Sequence, residues 1–407
     1  MQTILIVTSS ERASRILLRG LFFEELKKRY KIIVSSMAEN SKKWKESIQG
    51  VEFFSDGKGI SIKDKLKEFD IKAVIGCGNT DTPINQFDLL IQTEAKVLNI
   101  SFINIQDFID AIFHPLMIKP DKYLVWGNFF KTTFSEKRDV LLWDKTICAV
   151  GQYGTVDALE SEIIEVCGAI HFDDYKLRNI PTKIELCREL EFDPNKLIFS
   201  YVPNGEYAEW VFWTFDNFMQ SARKFNAQVI LKLHPIRHND SWIFNFIISK
   251  YPEVPVRVLR NWSFGKGWAG NMAGYANGEF FLDHRDSLQL AGILKNSDIV
   301  GSMGSTASVE SLIFDVPTVI DTSFWSHPWP IREQVMRWFW SVLYKYNCCD
   351  IVTEKNHLEN VIELNLLKPE RKTIGRKSIV QDFFNNVDGK AHNRAVDSIE
   401  KFLEKDV

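Results

Sequence analysis

One segment of the chain combines small residues, hydroxyls and a carboxylate at spacings that suit an anion. It runs from Ser297 to Ile320 and reads SDIVGSMGSTASVESLIFDVPTVI. The pattern predicts a short buried strand, a Gly/Ser loop, a helix beginning near Ser305 and a second strand after Pro317. A helix that opens from such a loop presents unpaired backbone N–H groups and the positive end of its dipole, which together bind phosphate.

The helix predicted in this segment carries an acidic residue on one face and apolar residues on the other. Glu310 lies one turn after Thr306, and the opposite face, with Val309, Leu312 and Ile313, is expected to pack inward. This pattern suits a nucleotide, with the diphosphate at the loop and the ribose hydroxyls on the acid. An acidic residue that only stabilises the helix dipole is the alternative. The loop residues assigned to the diphosphate are Ser302, Gly304, Ser305 and Thr306.

A histidine follows another predicted strand of the same half of the chain. In the sequence Leu231-Lys-Leu-His-Pro235 the proline favours an extended backbone before it, which places His234 at the carboxyl edge of a sheet. There the imidazole could donate to a phosphate oxygen or act as a general acid or base. The nearby Arg237 favours an anion, although a histidine that caps local carbonyls is the alternative. His284 follows a further predicted strand and is either a ligand contact or part of an exposed turn.

The N-terminal half also offers polar residues just after its first predicted strand. Ser10, Arg12 and Arg15 could meet a phosphate or an acceptor substrate there, and Glu11 is a candidate catalytic base. Helix capping with solvated charges explains the same composition equally well.

Two further loops of this half contain candidate residues. His114, in Phe-His-Pro, lies between predicted strands and is the other candidate for a catalytic base, with a structural histidine as the alternative. Asn79 lies in the loop Gly76–Asp81, whose glycines allow a close approach to a ligand.

The elements that must position these residues are parallel strands. Short apolar runs alternate with amphipathic stretches along the chain, which predicts βαβ units and an α/β fold. Two Rossmann-like domains are expected to face each other across a cleft at the carboxyl ends of their strands. We assign residues 1–175 and 176–377 to these domains and 378–407 to a helical segment that packs back toward the first. Strands are expected at 97–103 and, as the last of the first domain, at 145–150.

Composition excludes several classes of function. The 407 residues carry a net charge of −3, with 45% hydrophobic and 25% charged residues, which is typical of a globular protein and gives no signal for nucleic-acid binding. The six cysteines lack zinc-site spacing, and no GxGxxG follows the first strand. We expect neither metal nor cofactor. Apolar runs are too short for a membrane span, so we expect a cytoplasmic protein, with peripheral contact at the inner face of the membrane left open.

Several of these segments, in this order, resemble glycosyltransferases of the GT-B fold. The likeness is greatest to bacterial and archaeal surface-polysaccharide proteins grouped with the CDP-glycerol glycerophosphotransferases. The similar segments are Ser14–Arg19, Glu25–Lys28, Lys145–Gly151 with Asp157, Lys183–Asn195, Leu231–Pro235, Ser297–Pro317 and Asp388–Asp397.

The resemblance implies a C-terminal domain that holds a nucleotide-activated donor and an N-terminal domain that holds an acceptor. It implies that His234 contacts the donor phosphates and that Glu310 contacts the ribose. The glycerophosphotransferases usually carry an Asp-Tyr-Ser-Ser loop where this chain has Gly301–Thr306, which favours a nucleotide sugar (UDP-, GDP-, CDP- or CMP-linked) over CDP-glycerol. The implied acceptor is a glycan or a lipid-linked molecule. A CDP-glycerol-type glycerophosphotransferase, a 2-epimerase of UDP-sugars and a non-catalytic protein that binds sugar nucleotides or glycans are the alternatives.

Overall fold

The structure, a computed structural model, describes part of the chain. The described residues are 1–7, 16–18, 20–35, 48, 50–54, 61–77, 86–107, 109, 118–144, 149–203, 208–234, 241–259, 284–323, 339–354 and 356–405. They form two compact units, one made of Met1–Leu177 with Gln381–Val407 and the other of Arg178–Met272 with Leu282–Val380.

The first unit is built on a parallel sheet. Its described strands are β1 (Thr3–Val7), β2 (Lys31–Ser35), β3 (Glu52–Phe54), β4 (Ile71–Cys77), β5 (Ser101–Ile105), β6 (Lys122–Val125), β7 (Arg138–Asp144), β8 (Ala149–Val156) and β9 (Ile164–Val166). Seven of them form the sheet in the order β3-β2-β1-β4-β5-β6-β9, and β7 and β8 form a separate hairpin. The helices with described bounds are α1 (Gly20–Arg29), α2 (Ile62–Glu68), α3 (Gln86–Val97), α4 (Asn128–Phe134) and α5 (Asp173–Leu177), with a 3-10 turn at Ile170–Phe172.

Both faces of this sheet are covered, so its central strand β1 is buried along its whole length. Ile4 and Ile6 pack in the core that includes Phe22 of α1, whereas Leu5 packs on the other face with Ile91 of α3. Continuous apolar runs of this kind are expected of parallel strands that lie between helices.

Two expected strands of the first unit differ from the structure, one in where it begins and the other in which strand it pairs with. Val97 ends helix α3, and the strand that follows begins only at Ser101. The run at 145–150 does not close the parallel sheet, because the residues from Ala149 onward pair antiparallel with β7. The last strand of the sheet is β9, which pairs with β6. An apolar run by itself does not distinguish a sheet strand from a hairpin strand.

The second unit contains a six-stranded parallel sheet. Its strands are β10 (Ile198–Tyr201), β11 (Gln228–Lys232), β12 (Val256–Leu259), β13 (Ile299–Ser302), β14 (Thr318–Asp321) and β15 (Asp350–Val352). They lie in the order β12-β11-β10-β13-β14-β15. The helices with described bounds are α6 (Lys183–Leu190), α7 (Ala208–Lys224), α8 (Ser241–Ser249), α9 (His284–Asn296), α10 (Thr306–Ile313) and α11 (Leu358–Leu367), with a 3-10 turn at Pro369–Lys372.

The C-terminal segment contains two helices rather than one. They are α12 (Thr373–Phe384) and α13 (Ala391–Glu404), separated by a 3-10 turn at Asn385–Val387. The chain breaks there because Asn386 and Gly389 have positive φ angles of 69° and 79°, a conformation that ends helices.

Helix α13 contacts the rest of the first unit through a buried hydrogen-bonded pair and through surface ion pairs. The carboxylate of Asp173 accepts a hydrogen bond from the backbone N–H of His392 at 2.7 Å and lies 2.7 Å from Nδ1 of the same histidine. On the surface, Arg29 of α1 forms ion pairs with Asp397 and Glu400, each at 2.7 Å.

Candidate nucleotide site

The predicted anion-binding segment folds as a strand, a tight loop and a helix. Strand β13 is wholly buried and ends at Ser302. Gly304 has a φ of +98°, a backbone conformation that side chains with a Cβ rarely adopt. Ser305 is extended, with φ −94° and ψ 168°, and helix α10 begins at Thr306. The chain therefore turns sharply from the strand into the helix start.

Serine hydroxyls occupy part of this loop. The Gly304 amide donates to Oγ of Ser302 at 2.8 Å, and the Ser305 amide donates to Oγ of Ser308 at 3.1 Å. The hydroxyls of Ser302 and Ser308 are themselves hydrogen-bonded to each other. Two amides that the sequence pattern leaves open are therefore satisfied within the loop.

The amides of the next two residues are not bonded to a serine hydroxyl in this way. The amides of Thr306 and Ala307, the first of helix α10, have no acceptor among the described residues. Helix-start amides of this kind are donors that water or a ligand must satisfy. Together with the helix dipole they make the helix start suitable for an oxyanion.

The two faces of helix α10 differ, but the predicted inward face is wrong at one position. Val309 and Leu312 are 0% and 3% exposed as predicted, whereas Ile313 is only half-buried because it lies three residues after Glu310, on the same face as that residue. Glu310 is half-buried and lies one turn beyond Thr306.

His234 lies just beyond the end of strand β11, which is two strands away from β13 in the sheet. Strand β11 ends at Lys232, and the Leu233 amide continues the ladder by donating to the carbonyl of Leu259 at 3.0 Å. His234 follows and is half-buried. Its position at the carboxyl edge of the sheet is therefore as predicted.

Strand β10 separates His234 from the loop. Tyr201 pairs with Leu231 on one side and with Gly301 on the other. His234 lies three residues beyond Leu231, and Gly304 lies three residues beyond Gly301. Two strand spacings correspond to about 10 Å, so one ligand over the end of β10 could reach both.

The loop is also held against the end of β10. Oγ of Ser305 lies 3.5 Å from the carbonyl oxygen of Val202, and the Val202 amide donates to the carbonyl of Gly301 at 3.0 Å. A Cβ on Gly301 would lie 2.3 Å from a ring carbon of Phe218, so helix α7 packs directly against this strand. Only glycine allows that approach.

A buried carboxylate beside the loop was missed by the sequence analysis. Asp321 ends strand β14 next to β13 and is 3% exposed. It accepts hydrogen bonds from the Ser323 amide at 3.0 Å and from Nδ2 of Asn217 at 3.0 Å. Burial raises the pKa of Asp321, while the bonds from Ser323 and Asn217 act to lower it. The Asp-Thr-Ser sequence after an apolar strand is a signal that could have identified it.

The first unit has buried polar groups near the carboxyl ends of its strands. Asn104 of β5 is 0% exposed and pairs with Gly76 on one side and Tyr123 on the other. Neither polar atom of its carboxamide, nor the hydroxyl of Tyr123, has a hydrogen-bond partner in the described part of the chain. Burial raises the pKa of Tyr123 well above its usual value. An asparagine inside an otherwise apolar strand is the sequence signal that could have identified Asn104 as a buried polar residue.

All six candidate residues of the first unit lie outside the described residues. These are Ser10, Glu11, Arg12, Arg15, Asn79 and His114, and Arg237 of the second unit joins them. The backbone of His284 begins helix α9. The structure therefore brings together Ser302, Gly304, Ser305, Thr306 and Glu310, with His234 on the far side of β10.

Two general features of the described residues concern metals and membranes. No group of three or more His, Cys, Asp or Glu side chains within the described ranges is arranged to hold a metal ion. No helix in the same ranges is both long and apolar enough to cross a membrane.

Known structures resemble the chain over nearly its whole length. A glycosyltransferase from Rickettsia africae superposes with a TM-score of 0.57 at 13% identity, covering 100% of this chain and 99% of that protein. A UDP-GlcNAc 2-epimerase from Neisseria meningitidis bound to UDP-GlcNAc gives 0.56 at 12% identity, with coverages of 98% and 100%. The wall teichoic acid polymerase TagF, soaked with CDPG, gives 0.54 at 14% identity, with coverages of 100% and 89%.

The likeness defines the class of fold. No protein-family profile and no curated protein sequence matches the chain. At identities of 12–14% the structural likeness carries information on the fold alone. The predicted α/β fold with two Rossmann-like domains of the GT-B type is confirmed.

Proposed function

We propose that the protein is a GT-B glycosyltransferase that moves a sugar from a nucleotide-activated donor to a glycan or lipid-linked acceptor. The observation that carries this proposal is the start of helix α10, where the amides of Thr306 and Ala307 have no acceptor among the described residues and Glu310 follows one turn later. This arrangement suits a diphosphate next to a ribose. The GT-B fold of the neighbours supports a nucleotide-sugar enzyme.

The residues needed on the donor side are determined by where negative charge develops during the transfer. When the bond to the sugar breaks, charge develops on the phosphate of the leaving nucleotide, which is a diphosphate for UDP, GDP and CDP donors. The helix start and the imidazole of His234 stabilise that charge, so the transfer proceeds without a metal ion. The donor carries UDP, GDP, CDP or CMP, and Arg237 and His284 are the other proposed donor contacts.

The acceptor side belongs to the first unit. A base must remove the proton of the acceptor hydroxyl as it attacks the sugar. Glu11 and His114 are the proposed bases, and Ser10, Arg12, Arg15 and Asn79 are the proposed contacts to the acceptor. The proposed pathway is surface polysaccharide synthesis, with the enzyme in the cytoplasm and in peripheral contact with the inner face of the membrane.

Two other enzyme functions are supported by particular comparisons. The Neisseria neighbour is a UDP-GlcNAc 2-epimerase, and TagF is a wall teichoic acid polymerase whose structure was soaked with CDPG. The site on helix α10 would serve an epimerase or a glycerophosphate transferase equally well, since each holds a nucleotide diphosphate. A non-catalytic protein that binds sugar nucleotides is the fourth candidate.

A donor panel separates these functions. The purified protein is incubated with UDP-, GDP-, CDP- and CMP-linked sugars and with CDP-glycerol, with and without acceptor glycans, and nucleotide release and donor conversion are measured. A glycosyltransferase releases nucleotide from one sugar donor and does so faster with an acceptor. Conversion of a UDP-sugar without acceptor, turnover of CDP-glycerol alone, or tight binding without turnover would each replace the proposal. Loss of transfer in excess chelator would overturn the metal-independent mechanism.

A further inference from the structure

Three serine hydroxyls meet where strand β13 turns into helix α10. Ser302 and Ser308 are each 1% exposed, and their hydroxyls are hydrogen-bonded to each other. Oγ of Ser305 lies 3.4 Å from Oγ of Ser308. Buried hydroxyls that bond to one another and to backbone form a network with few alternative arrangements.

Two amides of the loop, those of Gly304 and Ser305, each have a hydroxyl acceptor in this network. Ser302 Oγ accepts the Gly304 amide at 2.8 Å, and Ser308 Oγ accepts the Ser305 amide at 3.1 Å. Of the hydroxyls of Ser302 and Ser308, one donates its proton to the other. The accepting hydroxyl keeps its own proton, which it can donate to a further acceptor. The amides of Gly304 and Ser305 are thereby turned toward the protein.

This orientation decides which amides remain for a ligand. With Gly304 and Ser305 engaged, the donors left at the helix start are the amides of Thr306 and Ala307. Oriented donors stabilise an anion more effectively when they need not reorganise on binding. The φ of +98° at Gly304 has to be maintained for this geometry, and the two hydroxyl bonds on either side maintain it.

We propose that Ser302 and Ser308 are positioning residues for the nucleotide site, fixing the loop so that a diphosphate binds the amides of Thr306 and Ala307. This inference rests on the proposed function. Neither serine needs to touch the ligand, since both are buried beneath the loop. Their hydroxyls act on affinity through the backbone of Gly304 and Ser305.

The same helix supplies a matched control. Ser311 is also buried, at 0% exposure, and its hydroxyl donates to the carbonyl of Ser308 at 2.7 Å and bonds Thr318 at 2.6 Å. It therefore loses comparable hydrogen bonds when replaced by alanine, but none of its bonds involves a loop amide. A general loss of stability affects Ser308→Ala and Ser311→Ala alike.

The test measures amide hydrogen exchange in the nucleotide-free protein together with nucleotide affinity. We expect Ser308→Ala to speed exchange at Ser305, and Ser302→Ala to speed it at Gly304, each by about tenfold relative to Ser311→Ala. The affinity for the tightest-binding of UDP, GDP and CDP is expected to fall about tenfold in both loop variants and to stay near wild type in Ser311→Ala.

The outcomes separate this inference from the function on which it rests. Exchange that does not differ between Ser308→Ala and Ser311→Ala would overturn the positioning role, as would unchanged nucleotide affinity despite faster exchange. If the wild-type protein binds none of the three nucleotides and does not bind CMP either, the proposed function is wrong, and the exchange pattern still decides whether the hydroxyls fix the loop.

Discussion

His234 and Gly304 each lie three residues beyond the partner of Tyr201, on opposite sides of strand β10. The described elements between the two positions in sequence are α8, β12, α9 and β13, yet the parallel register brings the two positions to the same edge of the sheet. A ligand over the end of β10 is therefore the arrangement that uses both.

Replacing Glu310 by alanine tests its assignment to the ribose. We expect the Kd for the cognate nucleoside diphosphate to rise about tenfold or more, because a carboxylate hydrogen bond to a hydroxyl contributes about 1.5 to 3 kcal/mol. Isothermal titration calorimetry measures this directly. The exposed Glu363 of α11 provides the control variant, Glu363→Ala, which is expected to bind like wild type. Unchanged affinity in Glu310→Ala would show that the ribose lies elsewhere.

Replacing Gly304 by alanine tests the loop conformation. The φ of +98° disfavours any residue with a Cβ, so Gly304→Ala is expected to lower the free energy of unfolding by about 1 to 2 kcal/mol and to weaken nucleotide binding. Gly154, in the extended strand β8, is the control, and Gly154→Ala is expected to leave binding unchanged. Denaturant unfolding and calorimetry check both effects; full affinity in Gly304→Ala would argue against the loop as the diphosphate site.

The stability of the second unit is expected to depend on the ionisation of Asp321. Burial raises its pKa above the ordinary value of 3.8. The contribution of the neutral carboxyl to stability is therefore fully present below about pH 3.8 and is lost as the pH rises through the folded-state pKa. The free energy of unfolding of wild type, measured across the acidic range, should fall with rising pH relative to that of Asp321→Asn. Parallel pH profiles would contradict this.

The attachment of helix α13 is expected to depend on the buried contact rather than on the surface ion pair. Asp173 is 1% exposed and accepts the His392 amide, so Asp173→Ala should lower the free energy of unfolding by about 2 to 3 kcal/mol. The side chain of Asp397 is 62% exposed, and Asp397→Ala should cost less than about 1 kcal/mol. Urea denaturation measures both, and equal losses would refute the difference.

The part of the site that follows from local sequence could be predicted. The Gly-Ser sequence around Gly304 and the spacing of Val309 and Leu312 determine a loop and an amphipathic helix through interactions within a few residues. His234 could be placed because proline restricts the backbone next to it. The alternation of strands and helices likewise predicted the α/β fold.

The rest depends on contacts between distant parts of the chain. The bond between Asn217 and Asp321 joins residues 104 positions apart, and no local pattern reports it. The hydroxyl link between Ser302 and Ser308 is an exception, since it joins residues six positions apart, and it was not predicted because it depends on side-chain rotamers inside the turn. The hairpin of β7 and β8 was missed because its apolar run resembles a sheet strand until its pairing partner is known.

A crystal structure with UDP, GDP or CDP soaked into the protein tests the central claim most directly. We expect the diphosphate oxygens to lie within hydrogen-bond distance of the Thr306 and Ala307 amides. The ribose hydroxyls are expected to contact Glu310, and His234 is expected to lie near the phosphates. A nucleotide bound away from the start of helix α10, or no bound nucleotide at saturating concentration, would contradict it.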